Sequence, residues 1–393
     1  MDLNYSPYDF GIHNDPYPVY ARLREEAPVF RNETDDIWAL SRHADVQAAL
    51  RDSATFSSVN GLRIEPAFWG PDAERFFSFV AMDPPKHTRM RGLVSRAFTQ
   101  RRVQELEPRL RELARSYLEP LLDGETFDLM ADFAGPFPAD VISELVGVPE
   151  ADRGELRRLG AAIMYRDEET TDLPPEALQA IGALVGYYVE LTEERARRRR
   201  DDLLSGLLDA AEGDDRLTPE EIVGVAILLV GAGIETNMLT LGNAWYAAWR
   251  HPDERARALG GRVADWIEET LRYDPPPQAL ARTTTTEVAL HGTTVPARSR
   301  VLLLIGSANR DPRAFPDPDR FDLDRDTGSS LAFGSGRHHC LGANLGRLET
   351  RIALEEVVKV VADYDIDTDG LRRIHSTNNR GFAALPTKVT ARR

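Results

Sequence analysis

Apolar and polar positions alternate along this chain mostly at helical spacing. After Pro108, the residues Leu110, Leu113, Tyr117 and Leu121 recur every three or four positions, which predicts an amphipathic helix. Residues 139–213 continue in the same manner. Gly147-Val148-Pro149, residues 172–175 and Arg200-Asp201 divide them into several helices. The arginine run 197–200 lies between Glu193-Glu194 and Asp201-Asp202 and reads as a solvated helix end. The sharpest signal opens at Thr218, which places a hydroxyl at the N-cap, Pro219 at the first helical position and Glu221 at the capping-box position. The pattern then runs to about Arg250, where His251-Pro252 stops it. At ~1.5 Å per residue this helix would be roughly 50 Å long. Its first half is apolar on nearly all sides, so it is expected to cross the core. Glu235 and Thr236 nevertheless sit in its middle. An acid inside a buried apolar helix is costly unless it has a partner or a task.

Strand signals are fewer. Val29 to Arg31 and Ile37 to Leu40 flank a polar stretch and predict an early hairpin. In the last third, Glu287 to Leu290, a His291-Gly292 turn, Thr293 to Val295 and Val301 to Ile305 read as strands. Before them, Trp266 to Arg272 form a short helix ended by three prolines, with Glu269 and Arg272 three apart on one face. The proline-rich stretch 311–326 has no periodicity and leads to Phe333 and a glycine turn. Helical spacing resumes at Leu345, Leu348 and Ile352. With no repeat and no linker, one large domain over residues 1–393 is expected. It should be mainly α with small β-sheets, an α+β fold whose minor β-rich portion lies at about 29–40 and 283–307.

Composition narrows the class. The 393 residues are 42% hydrophobic and 28% charged, which supplies a large core and excludes disordered and collagen-like chains. Acids outnumber bases 64 to 48, and a net charge of −16 lacks the basic footprint of a nucleic-acid binder. The acidic, aromatic start has no basic segment followed by an apolar one. The longest apolar run, Ile222 to Ile234, falls short of the roughly 20 residues that span a bilayer. A cytoplasmic protein with no membrane or nucleic-acid partner is expected.

Cys340 is the one cysteine, so an intramolecular disulfide, a redox pair and a Cys-rich zinc site are excluded. The eight histidines form no zinc pattern, and no phosphate-binding loop occurs. A lone cysteine is ordinarily a small buried hydrophobe. Here it stands where a glycine turn meets a helix N-terminus, whose unpaired N–H groups and dipole favour the thiolate. Gly334 and Gly336 would let the backbone approach a flat partner closely. Such a thiolate needs an electrophile or a metal.

Taken in order, these motifs resemble the bacterial cytochrome P450 family of soluble haem-thiolate monooxygenases. The haem-binding loop FGxGxHxCxG is met by Phe333, Gly334, Gly336, His338, Cys340 and Gly342. The ExxR motif falls at Glu269 and Arg272, and its third partner, an arginine of the loop before the cysteine, at Arg320. The AGxET motif is Ala232 to Thr236, and DPPxHxxxR is Asp83 to Arg91.

The resemblance implies the cytochrome P450 fold, with Cys340 as the thiolate ligand to iron. With no second cysteine, the haem would be noncovalent haem b. His87, Arg91, Arg282 and His338 match propionate contacts, and Glu269, Arg272 and Arg320 would form a buried structural network. Glu235 and Thr236 would handle protons for oxygen activation, with Gly233 and a kink opening a groove above the iron. The substrate pocket would draw on Phe68, Trp69, Phe76, Phe77, Phe79, Met164, Leu229, Ala232, Gln278, Ala279, Leu280, Asn378 and Asn379.

The implied reaction is hydroxylation of a C–H bond by O2 in a small hydrophobic molecule of secondary metabolism: a polyketide, terpenoid, steroid or aromatic compound. The same site would also suit epoxidation or oxidative phenol coupling, and a haem-binding sensor or carrier is the alternative of a different class. Electrons from NAD(P)H would arrive through a [2Fe–2S] ferredoxin and its reductase. That partner would meet the cysteine side of a monomer near Arg96, Arg101, Arg102, Arg337 and Arg347.

Overall fold

The computed structural model describes residues 3–123, 125–164 and 172–392. Its axis is the helix Pro219–Arg250, which begins as its first residues dictate. The Thr218 hydroxyl accepts from the Glu221 N–H at 3.2 Å, and the Glu221 carboxylate accepts from the Thr218 N–H at 2.9 Å. Such a reciprocal cap contributes about 1 kcal/mol. By length and composition this helix could cross a membrane. Within the fold it packs against the helices Pro136–Val146, Pro175–Arg197, Val263–Tyr273 and Ala343–Val360, which use its apolar sides. The largest apolar cluster includes much of this helix and draws members from Phe79 to Val389 along the chain.

A five-stranded sheet lies to one side, in the order Val29–Asn32, Ile37–Leu40, Arg300–Leu303, Leu280–Thr284, Phe56–Ser57. The predicted hairpin pairs Val29 with Leu40 and Asn32 with Ile37. Its second strand runs parallel to Arg300–Leu303, with Trp38 opposite Val301. Alternation along Leu280–Thr284 aims Arg282 at the cavity beside the cysteine loop and Thr283 at an outer groove. A separate hairpin, Val288–Leu290 with Thr293–Val295, turns through left-handed His291 and Gly292 (φ 51° and 77°).

Two expectations are corrected here. The apolar run from Val301 leaves the sheet after Leu303, and Ile305–Ala308 is a short helix, because periodicity alone does not separate a buried strand from a buried helical turn. The β-structure also extends past residue 307. Val361–Ile366, Pro386–Ala391 and Thr126–Asp128 form a three-stranded sheet that joins the end of the chain to a segment more than 200 residues earlier.

Candidate active site

The loop before the helix Ala343–Val360 is shaped by two glycines. Gly334 and Gly336 both sit at φ 70°, in the left-handed region that other residues avoid. A Cβ on Gly336 would also lie 2.9 Å from the Leu50 carbonyl. The turn they make lets the Cys340 N–H donate to the Phe333 carbonyl at 2.9 Å, which presents the sulfur to an internal cavity. Arg347 braces the loop, with its guanidinium 4.3 Å above the Phe333 ring and paired with Glu268 at 2.6 Å. The sequence suggests a thiol favoured as thiolate, yet burial pushes the thiol up. The Gly342 N–H, Arg91 and Arg347 pull the other way. A metal bond to sulfur is what stabilises a thiolate in such a place.

Across the cavity stands the middle of the central helix. Ala232, Gly233 and Thr236 line it. The helix is continuous from Pro219 to Arg250, and two of its smallest residues, Ala232 and Gly233, face the cavity. A Cβ on Gly233 would sit 3.3 Å from Ile142, so the glycine admits the neighbouring helix. The Thr236 hydroxyl donates to the Ala232 carbonyl at 2.6 Å, leaving its oxygen lone pairs to the cavity. Glu235 does not line the cavity and has no hydrogen-bond or ion-pair partner among the described residues, although the half-buried Arg63 feels its charge.

Arg91 and Arg282 line the cavity together with His338. The His87 and His338 rings lie 4.2 Å apart, and neither ring nitrogen of the buried His87 has a partner among the described residues. Among the described residues the buried Arg282 donates only to the adjacent Ala281 carbonyl at 2.7 Å, and burial pushes its guanidinium down to about 10. Burial, together with Arg282, His87 and Arg91, pushes His338 down to about 3. Arg91 donates to the His339 carbonyl at 2.6 Å and thereby also ties down the cysteine loop. Buried donors left orphaned and crowded by like charge call for an anion. The two propionates of a haem fit that demand, with Cys340 facing the metal position.

Behind the loop, Arg272 is wholly buried and uses all its N–H groups. It makes two bonds to Glu269 at 2.7 and 2.8 Å, and others to the carbonyls of Asn309, Pro318 and Arg320. The third arginine of this network is corrected. Arg320 contributes its carbonyl, while its side chain is 61% exposed and lies 3.7 Å from Asp322. Arg325, 8% exposed, reaches Glu269 at 3.2 Å instead. Five residues further on, it turns back under the loop to the carbonyls of Asp317 and Arg320.

The substrate-side expectations divide. Phe79, Leu229, Ala232 and Leu280 line the cavity. Phe68, Phe76 and Phe77 do not; they pack with Leu173 and Ala177 in a separate apolar cluster. Trp69 faces the outer groove under Arg300. Ala279 is buried behind the sheet, and Gln278 turns its amide to the Pro275 carbonyl at 2.8 Å. Asn378 and Asn379 are structural, their carbonyls accepting from the Gln278 N–H and from His13 at 2.7 Å each. The side chain of Met164 lies outside the described residues. Sequence reasoning missed Leu62, Val80, Pro276 and Pro277, which also line the cavity. Leu62 and Val80 lie in an aperiodic stretch with nothing to mark which way they point.

Comparison with known proteins bears on the same residues. The Cytochrome P450 family profile matches residues 263–390, which include the ion network and the cysteine loop. Cytochrome P450 123 of Mycobacterium tuberculosis is 47% identical over 394 residues, covering 100% of this chain and 98% of that one. Vitamin D(3) 25-hydroxylase of Pseudonocardia autotrophica is 38% identical, covering 96% and 94%. Among solved structures, a cytochrome P450 from Chondromyces apiculatus superposes with a TM-score of 0.91 at 34% identity, covering 100% of both chains.

Proposed function

The chain belongs to the cytochrome P450 family of haem-thiolate monooxygenases, and from that premise we propose that it hydroxylates an uncharged, largely apolar small molecule of secondary metabolism. One observation carries this reading. Apart from Arg91, Arg282, Arg347, His338 and Cys340, the cavity is lined by apolar or neutral side chains, among them Leu62, Val80, Leu229, Ala232, Pro277 and Leu280. A charged substrate group there would be desolvated without compensation. The relative named vitamin D(3) 25-hydroxylase, whose substrate is uncharged and largely apolar, is in keeping with this.

Noncovalent haem b, held by Cys340 and by His87, Arg91, Arg282 and His338, supplies oxygen activation when bound. The chain's own groups position and protonate. Apolar contacts hold the substrate and exclude water. Rotation of the Thr236 hydroxyl away from the Ala232 carbonyl frees its proton for a hydrogen bond into the cavity. Glu235, beside it and without a hydrogen-bond or ion-pair partner among the described residues, passes protons toward that hydroxyl from solvent.

In this reading a cytoplasmic monomer draws NAD(P)H-derived electrons from a [2Fe–2S] ferredoxin at its cysteine face. Arg96, Arg101 and Arg347 are already paired with Glu212, Glu105 and Glu268. The Arg102 side chain lies outside the described residues. Arg337, exposed in the cysteine loop and without an ion pair among the described residues, is therefore the main contact.

The test is the carbon monoxide spectrum of the reduced protein. The wild type is expected to give the thiolate band and Cys340→Ser to lose it along with turnover. A full band in the variant would place the ligand elsewhere. Apolar compounds should shift the resting spectrum; a response restricted to charged compounds would overturn the substrate class.

A further inference from the structure

Glu349 is a buried acid that the proposed reaction does not use. It lies on the helix Ala343–Val360, which follows Cys340, and is 2% exposed. Other carboxylates of this helix meet cations: Glu355 and Glu356 both pair with Arg111. Glu349 meets none among the described residues. Its one hydrogen-bond partner there is the side-chain amide of Asn237, on the central helix directly after Thr236. Asn237 lines the cavity, and so does Gly346 opposite. A Cβ on Gly346 would come within 3.0 Å of the Asn237 oxygen, so the glycine is what lets the two helices close on this amide.

A carboxylate in such surroundings, facing one amide and no cation, would cost several kcal/mol, and a buried acid escapes that cost by keeping its proton. Burial indeed pushes the Glu349 carboxyl well above its ordinary range. The Asn237 N–H pulls the other way, but one neutral donor does not offset complete burial without a cation. The amide N–H donates to one carboxyl oxygen, while the acid O–H is a second donor that a carboxylate lacks.

Resting on the monooxygenase reading of Thr236, we propose that Glu349 is a positioning residue: an uncharged carboxylic acid whose pairing with Asn237 ties the distal helix to the helix that follows the cysteine loop and sets where Thr236 stands above the cofactor. It touches neither substrate nor metal. It acts by fixing the residue next to the one that does.

Infrared spectra of the holoenzyme test this without a known substrate. At neutral pH the wild type should show a carboxylic-acid carbonyl band that shifts down in D2O and is missing in Glu349→Gln. In the reduced, carbon monoxide-treated protein, the C–O stretch of Glu349→Gln should stay at the wild-type position, because a neutral amide keeps the pairing. That of Glu349→Leu should shift and broaden, and Asn237→Ala breaks the pair from the other side if Glu349→Leu does not accumulate. No acid band lost in Glu349→Gln would mean that Glu349 is ionised and would overturn the proposal. A C–O stretch unmoved in Glu349→Leu or Asn237→Ala would reduce the pair to simple packing, with the same effect. A wild type lacking the thiolate signature would instead overturn the reading of the site, and the acid band would still decide the charge of Glu349.

Discussion

In the proposed reaction the Thr236 hydroxyl would serve two states. In the structure its proton is committed to the Ala232 carbonyl at 2.6 Å, which satisfies a polar group in an apolar helix. That bond is also easily exchanged, since a rotation about χ1 turns the hydroxyl into the cavity. Thr236→Ala is therefore expected to let NAD(P)H oxidation continue while product falls about tenfold or more and hydrogen peroxide appears, the range seen when a proton-handling group is lost. Glu235→Gln should slow turnover and leave the ratio of product to electrons close to wild type. Coupling and rate unchanged in both variants, measured as product and peroxide per NAD(P)H, would remove the pair from the reaction.

At the scale of elements, the cysteine loop is held from behind by the helix Val263–Tyr273. Its Glu269 and Arg272 are 1% and 0% exposed at the side chain. Removing one partner of a buried, hydrogen-bonded ion pair costs about 3–5 kcal/mol because the other charge is stranded. The same reasoning separates two arginines that look alike in sequence. Arg325→Ala should lower stability by about 3 kcal/mol, since it strands part of Glu269 and three loop carbonyls. Arg320→Ala, which removes an exposed side chain, should change it by less than about 0.5 kcal/mol. Urea unfolding midpoints of the two variants decide the assignment, and the reverse order would restore Arg320 to the network.

Two properties belong to the whole molecule. His13, near the chain start, is buried against the far end of the chain, where it donates to the Asn379 carbonyl at 2.7 Å. Burial, together with Arg380, His375 and Arg373, pushes it down from 6.5 to about 4. Below pH 6.5 the unfolded chain binds a proton there that the native one refuses, so stability falls as pH falls. One such histidine accounts for roughly 2 kcal/mol between pH 6.5 and pH 5. Urea titrations at those two pH values should show that loss, and His13→Gln should reduce it. The second property is the net charge of −16, which repels an acidic ferredoxin except where positive charge is exposed. Reduction by ferredoxin should slow as salt rises and the Debye length shrinks from about 10 Å at 0.1 M. Arg337→Glu should slow it several-fold at low salt and leave peroxide-supported turnover unchanged. Salt-independent reduction would exclude electrostatic docking.

Much was legible before any coordinates. Thr218, Pro219 and Glu221 specify the start of the central helix because a capping box is local chemistry, settled within one turn. Gly334 and Gly336 announce a left-handed turn for the same reason, and the Glu269–Arg272 spacing guarantees a shared helix face. What the sequence could not show is whatever depends on direction in space. Arg320 and Arg325 stand in one aperiodic loop, and only its path back over the helix decides which guanidinium goes inside. Phe68 and Leu62 lie in another, and only the docking of that loop against Leu173 and Ala177 sends the phenylalanine away from the cavity and the leucine toward it. The sheet that joins Thr126–Asp128 to Pro386–Ala391, and the meeting of Asn237 with Glu349, bring together residues more than 100 positions apart. No periodicity marks such pairs, because each half satisfies its own local pattern and gains its partner only when the core closes.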